Sequence, residues 1–178
     1  MSLVTTDNPP EETKVKSHIH TLSVFVDNQP GVLMLICQVF ARLGYNIDSL
    51  VVSEGRDDQF SRMTIGISGD PTGLEQIILQ VNKLIDVIHC NEHDTSSSVV
   101  KELILVKFLA CREKRTEAIQ IIDHYGGKIV DLSPLAMIAM LTGESSKIDA
   151  ALTMLSQFEI IETVRTGKVV MARGQDAT

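Results

Sequence analysis

Tryptophan is absent from this chain, and aromatic side chains of every kind make up only 4% of it. A core without large rings has to be aliphatic, and hydrophobic residues at 44% supply it with Val, Ile, Leu and Met. That composition excludes global disorder and suits packed sheets and helices. Clustered basic charge is also missing. Residues 18–94 hold four Lys and Arg against ten Asp and Glu, and residues 95–178 hold ten of each, within a net charge of −7. An acidic half beside a neutral half is a poor match for a polyanion, so nucleic acid is not expected as a partner. No apolar run approaches the roughly 18 residues needed to cross a bilayer. The first 17 residues are polar, with Pro9-Pro10-Glu11-Glu12 in their middle, and lack the basic start and apolar stretch of a secretion signal. Three cysteines, Cys37, Cys90 and Cys111, are an odd number, far apart, each within an aliphatic run. They read as buried reduced thiols, and the chain as a soluble cytoplasmic protein.

What is present is a pattern, and it repeats. After a flexible tail over residues 1–17, the alternation of Leu22, Val24 and Val26 reads as a strand. Asp27-Asn28-Gln29-Pro30-Gly31 breaks it, and Val32, Ile36, Val39, Phe40 and Leu43 follow at helical spacing up to Gly44. Strands are expected over Asn46 to Glu54 and Phe60 to Ser68, on either side of the turn Gly55-Arg56-Asp57-Asp58. Asp70-Pro71 opens a helix carrying Leu74, Ile77, Ile78 and Val81, and Leu84 to His89 closes the unit as a strand. Asp94 to Ser98 is a polar linker, after which the order recurs. Strands are expected over Leu103 to Ala110, Lys128 to Leu132, Leu135 to Leu141 and Glu159 to Arg165, with helices over Lys114 to Tyr125 and Ser145 to Gln157. Val169 to Ala172 forms a short extension.

The fold class is therefore α+β, two ferredoxin-like βαββαβ units over residues 18–94 and 95–174, with antiparallel sheets and helices on one face. The opposite sheet face is expected to be apolar and to need covering by a second copy or by the other unit.

One loop stands out chemically. Asp27 to Val32 lies between a strand end and a helix start, where free backbone N–H groups and the positive helix end favour an anion. Gly31 lets a carboxylate approach the amides, and Asn28 can accept from an ammonium group or donate to a carboxylate. Those are the needs of a zwitterionic amino acid, although the same residues also fit a capping turn without a ligand. Asn46, after the helix-stopping Gly44, can face an effector from a neighbouring copy or serve as a turn residue. His89, Cys90 and His93 are too loosely spaced for a metal site. His18 and His20 are placed at a sheet rim, and Lys101, Glu102 and Lys107 on a half-exposed strand face. Catalytic motifs of the Gly-x-Ser-x-Gly or phosphate-loop kind do not occur, so no catalytic residue is assigned.

Asp27-Asn28-Gln29-Pro30-Gly31-Val32-Leu33 resembles the opening signature of ACT domains, small amino-acid-binding regulatory modules. Further segments narrow the resemblance: Gly44 to Leu50, Ser61-Arg62-Met63-Thr64-Ile65, Glu102 to Lys107, and Arg165 to Val169 closing at Arg173-Gly174. In that order, from about Ile19 to Gly174, the chain resembles the small regulatory subunits of acetolactate synthase. The resemblance implies an N-terminal ACT domain followed by a C-terminal ferredoxin-like domain, without catalytic activity of its own. It implies a large catalytic partner that holds thiamine diphosphate, Mg and FAD, with no cofactor or metal in this subunit. It implies activation of that partner and feedback inhibition by valine or another branched-chain amino acid. Asn28, Gln29, Gly31, Val32, Leu33 and Asn46 would be the effector contacts, in a homodimer or higher homo-oligomer joined through the ACT sheets. An ACT-type sensor serving a different enzyme or a transcription factor is the alternative.

Overall fold

The computed structural model describes residues 19–69, 71–175 and 178; the tail 1–17, His18 and the cap Asp70 lie outside the described residues. The first unit comprises β1 (Ile19–Asp27), α1 (Val32–Arg42), β2 (Asn46–Glu54), β3 (Phe60–Ser68), α2 (Pro71–Val81) and β4 (Val87–His93). Its four strands pair antiparallel in the order β2-β3-β1-β4. Alternation on β1 and β3 puts Leu22, Val24, Val26, Met63, Ile65 and Ile67 on the helix side, where Ile36, Phe40 and Ile77 meet them in one buried cluster. Each such side chain contributes about 1.5–3 kcal/mol when fully buried. That outweighs the roughly 1 kcal/mol that a missing helix cap costs, which is why α1 forms although no side chain caps its start. Its far end is closed by backbone alone. Gly44 adopts φ 77°, its N–H bonds Ala41 O at 3.1 Å, and Tyr45 N–H bonds Phe40 O at 3.0 Å. This is the Schellman arrangement, which needs a residue free to take positive φ.

The second unit repeats the plan with β5 (Ser98–Leu109), α3 (Arg115–His124), β6 (Lys128–Leu132), β7 (Ala136–Gly143), α4 (Ser145–Leu155) and β8 (Ile160–Arg165), in the sheet order β6-β7-β5-β8. A ninth strand, β9 (Val169–Ala172), pairs with the first residues of β5, Ser98 to Lys101. Boundaries depart from expectation by more than two residues at both ends of β4, which closes at His93 rather than His89, and at the start of β5; the other ends shift by no more than two. β4 begins at Val87 because Leu84 packs on the core from a turn, where Leu84 N–H bonds Val81 O and Val87 N–H bonds Leu84 O. β5 begins at Ser98, five residues early, because β9 gives its polar start a hydrogen-bonding partner. The linker before it is a tight turn. Asp94 Oδ1 accepts from Ser96 N at 2.8 Å, Ser96 Oγ at 2.7 Å and Ser97 N at 2.9 Å. Those bonds, the Ser96 hydroxyl foremost, hold the Asp94 carboxyl down to about 2.

Glu102, expected on a half-exposed face, is buried and paired. Arg165 donates to it from Nε at 2.9 Å and Nη2 at 2.5 Å, and from Nη1 to Asp149 at 2.7 Å. His20, expected at the rim, is buried with Nδ1 2.8 Å from Glu92 Oε1. Of the cysteines only Cys90 is buried, where burial pushes its thiol up to about 12; Cys37 is half-buried and Cys111 exposed.

The open faces of the two sheets differ, and the first corrects the expectation of an apolar surface. Thr21, Ser23 and Phe25 lie there beside Gly66, Thr64 and Arg62 on β3 and His93, Asn91 and His89 on β4. This polar face is covered from within the chain. His93 bridges the two units, with Nε2 2.7 Å from Ser23 Oγ and Nδ1 3.0 Å from Ser98 Oγ. His89 Nε2 lies 3.0 Å from Thr178 O. A Cβ on Gly167 would stand 3.0 Å from both Ser49 and Val51, so the chain after β8 lies directly on β2. On the second sheet the open row is mixed, with Leu105 between Met140 and Val164, and Lys107 between Ile138 and Glu162.

Burial, then the charges of Arg62 and His89, lowers the His93 pKa against the opposing pull of Asp94. The folded state thus binds fewer protons than the unfolded chain in the interval just below the unfolded value of about 6.5. Stability linked to His93 is complete above that value and is lost as pH falls through the lower folded value. His93→Gln, which still offers a donor and an acceptor, should flatten this acid-side loss relative to wild type in urea titrations at pH about 5 to 8. Parallel curves for the two proteins would refute the assignment.

Candidate functional site

The loop after β1 is fixed from two sides. Asp27 N–H bonds Asp86 O at 2.9 Å and Asn28 N–H bonds Gln59 O at 2.7 Å, which ties the loop to the start of β4 and to the β2–β3 turn. The Asn28 side chain continues that second tie. Its Nδ2 donates to Asp58 O at 2.9 Å and its Oδ1 accepts from the buried Ser61 hydroxyl at 2.9 Å. A carboxamide carries two N–H donors and two acceptor lone pairs, so one of each is left for a ligand.

Gly31 stands at the cap position of α1 with φ 95° and no side-chain cap bond. The first helical bond runs from Leu35 N–H to Gly31 O at 3.1 Å, and Val32 N–H reaches Gln29 O only at 3.5 Å. The amides of Leu33 and Met34 therefore have no acceptor within the helix. A cavity of about 420 Å³ opens at this end, lined by Gln29, Pro30, Gly31, Met34, Leu35 and Asp86 among others. It offers outward amides at the positive helix end, apolar carbon from Pro30, Met34 and Leu35, and a carboxylate from Asp86. A ligand bearing a carboxylate, an ammonium group and a short apolar side chain matches all three.

Of the residues singled out in the sequence, Gln29, Gly31 and Val32 line this cavity, Val32 with its side chain buried in the core, whereas Asn28 and Leu33 adjoin it in the chain without lining it. Asn46 is not among them. It opens β2 beyond the far end of α1, an eleven-residue helix that spans roughly 16 Å. It is exposed and its Nδ2 donates to Asp48 Oδ1 at 3.3 Å. Asp86, Met34 and Leu35 escaped the reading of the sequence. A strand drawn over Leu84 to His89 hides Asp86, and the signal for the other two is that apolar residues fall between the core positions of α1, where the structure leaves Leu35 40% and Met34 64% exposed.

The second unit does not repeat this site. Its corresponding helix starts at Arg115 after Lys114, and Arg115 crosses the loop to bond Ala110 O at 3.4 Å, Ser133 O at 2.6 Å and Pro134 O. His89 and His93 are engaged as described, while Cys90 faces the core on the opposite side of β4. Among the described residues no three His, Cys, Asp or Glu side chains converge as metal ligands, and no helix is long and apolar enough to cross a membrane.

Known proteins align with this chain along both units. Residues 22–89 match the model of the AHAS small subunit-like ACT domain, and residues 101–174 match that of the small subunit of acetolactate synthase. The probable acetolactate synthase small subunit of Archaeoglobus fulgidus is 43% identical over 155 residues, covering 87% of this chain and 97% of its own. The acetolactate synthase small subunit of Mycobacterium bovis is 41% identical over 155 residues, covering 87% and 92%. The crystal structure of the acetolactate synthase small subunit from Thermotoga maritima superposes with a TM-score of 0.81 at 35% identity, over 89% of this chain and 99% of that one. Two units matched in order, and alignments that nearly exhaust the relatives, place this chain in the acetolactate synthase small-subunit family.

Proposed function

We propose that this chain is a regulatory subunit that binds a branched-chain amino acid, valine first, and transmits its presence to a large catalytic subunit of acetolactate synthase. In this reading it acts in the cytoplasm, has no catalytic activity, and raises the activity of its partner. Thiamine diphosphate, Mg and FAD belong to that partner. Effector binding reverses the activation and gives feedback inhibition. Coupling of about 1–3 kcal/mol corresponds to a 5–150-fold change in affinity and must act in both directions, so the catalytic subunit also alters valine affinity.

The observation that carries the reading is the uncapped start of α1 at a cavity edged by Asp86 and apolar carbon. The ligand carboxylate takes the amides after Gly31, Asn28 uses its remaining donor or acceptor, and the branched side chain lies against Met34 and Leu35. Asn46 lies too far away to serve the same cavity within one chain. β2 is an edge strand, so a second copy joined through β2 can bring its own Asn46 to the site, and the working unit is a homodimer. Calorimetric titration of the purified chain with valine, leucine, isoleucine and lysine is the test. Saturable binding of the branched-chain ligands, with lysine inert, is the expected result. A folded dimer that binds none of them would overturn the reading.

A further inference from the structure

We infer that Tyr45 is a positioning residue for the effector site, its ring held in a slot between Gly69 and Gly73 so that the next residue, Asn46, presents its amide in one direction. The inference rests on the proposed role of Asn46 as an effector contact.

Two glycines form the slot. A Cβ built on Gly69 would meet Tyr45 Cδ1 at 2.8 Å, with Cε1 closer still. A Cβ on Gly73, in the first turn of α2, would meet Tyr45 Cζ at 2.8 Å and Cε2 at 3.2 Å, with the phenol oxygen closer still. Real Cβ contacts are essentially never under 3.0 Å, so any residue other than glycine at either position displaces the ring. Tyr45 also packs against the edge of the first core.

Asn46 has no comparable packing of its own. It is exposed, and the ladder slips between Ile47 and Ser49, immediately after it. Its one side-chain bond, from Nδ2 to Asp48 Oδ1 at 3.3 Å, runs to an exposed residue on the same strand, so its direction follows the backbone that carries both. That backbone is held by the bond from Tyr45 N–H to Phe40 O and by pairing of Asn46 with Ser68, the residue before Gly69. Those two restraints fix the height of the chain along the sheet, and the ring in its slot fixes its rotation. Recognition groups need to be held to about 0.5 Å and 10–20°, and an error near 1 Å can cost on the order of a hundredfold.

With no Trp and two Tyr in the chain, Tyr125→Phe leaves Tyr45 as the sole strong emitter in near-ultraviolet fluorescence. In that background, valine titration of the dimer should change the emission of Tyr45. Gly73→Ala should weaken valine binding about tenfold or more without lowering the melting temperature, because alanine favours a helix over glycine. Tyr45→Phe alone keeps the ring in its slot, and calorimetry should show valine binding like that of wild type. Tyr45→Leu, which empties the slot without touching α2, should lose affinity as Gly73→Ala does. Asn46→Ala separates the two levels of the argument. If it loses affinity while Gly73→Ala and Tyr45→Leu bind like wild type, or if Tyr45→Phe loses affinity as Tyr45→Leu does, the positioning role is overturned and the effector contact stands. If Asn46→Ala binds like wild type, the proposed contact fails and the inference falls with it.

Discussion

Glu102→Ala should lower the free energy of unfolding by about 3 kcal/mol, the low end of what breaking a buried ion pair costs. The side chain of Glu102 is only 6% exposed and accepts both donors of a forked guanidinium, whereas Arg165 is 34% exposed and keeps Asp149 as a second partner. Removal of the carboxylate therefore leaves a cation that is partly solvated, which keeps the cost from rising further. Replacing both groups, as Glu102→Leu with Arg165→Met, removes the orphaned charge and should recover most of the stability. Chemical denaturation of the two single variants and the double variant measures this, and a double variant no more stable than Glu102→Ala would refute it. Burial by itself would raise the Glu102 pKa, but bonds from Arg165 and Ser145 and the charge of Arg165 outweigh it and hold the carboxyl below its ordinary range. Its contribution is therefore complete above the unfolded value of about 4.3 and is lost as pH falls through the lower folded value. The acid limb of the wild-type stability curve should be steeper than that of Glu102→Gln.

Asn28→Ala should weaken valine binding by about thirtyfold or more, the loss of a hydrogen bond to a charged group of about 2 kcal/mol. The same substitution breaks the bonds to Asp58 O and Ser61 Oγ, so stability should also fall by about 1–2 kcal/mol. Ser61→Ala separates these effects, since it removes one structural bond and leaves the carboxamide in place. It should cost about 1 kcal/mol of stability while the calorimetric valine affinity changes by less than about threefold. Equal loss of affinity in both variants would mean that Asn28 acts only by shaping the loop. Gly31 is less useful for this purpose. A Cβ there meets no protein atom within 4 Å but stands at the mouth of the cavity, so a substitution combines the strain of positive φ, about 1–2 kcal/mol, with bulk where the ligand would sit.

Where glycine or a cluster of turn residues punctuates the chain, the strands were legible to the residue. β2 ends at Gly55 to Asp58, β6 begins after Gly126-Gly127, and β9 follows Gly167. Errors arose where an apolar residue serves the core from outside a regular element, as Leu84 does, or where pairing depends on a distant segment, as for Ser98 and β9. The polarity of the first open face was present in the alternation of Thr21, Ser23 and Thr64, but what covers it depends on how the second unit folds back. The candidate ligand loop was legible because β1, a Pro-Gly break and an amphipathic helix follow in immediate succession. Asp86 was not, because it reaches the cavity through sheet pairing with Asp27, a contact 59 positions away in the chain. Asn46 shows the converse. It lies close to Asn28 in sequence, yet the intervening helix is a rod that carries the two apart.

β5 deserves a mechanical reading. Its twelve residues extend roughly 40 Å, paired with β9 over its first third and with β7 and β8 over the rest. At its first residue, Ser98, it is pinned to His93 of the opposite unit. A strand laced to β9 along one edge at its start and to β7 and β8 on both edges beyond Ile104 does not bend like a linker. For the two units to swing apart at the turn after Asp94, the His93 bridge has to break and the β9 end has to lift from the first sheet. A force applied at the His93 bridge is instead borne along the strand as translation or tilt of the whole second unit, with a stiffness set by its hydrogen-bond ladders.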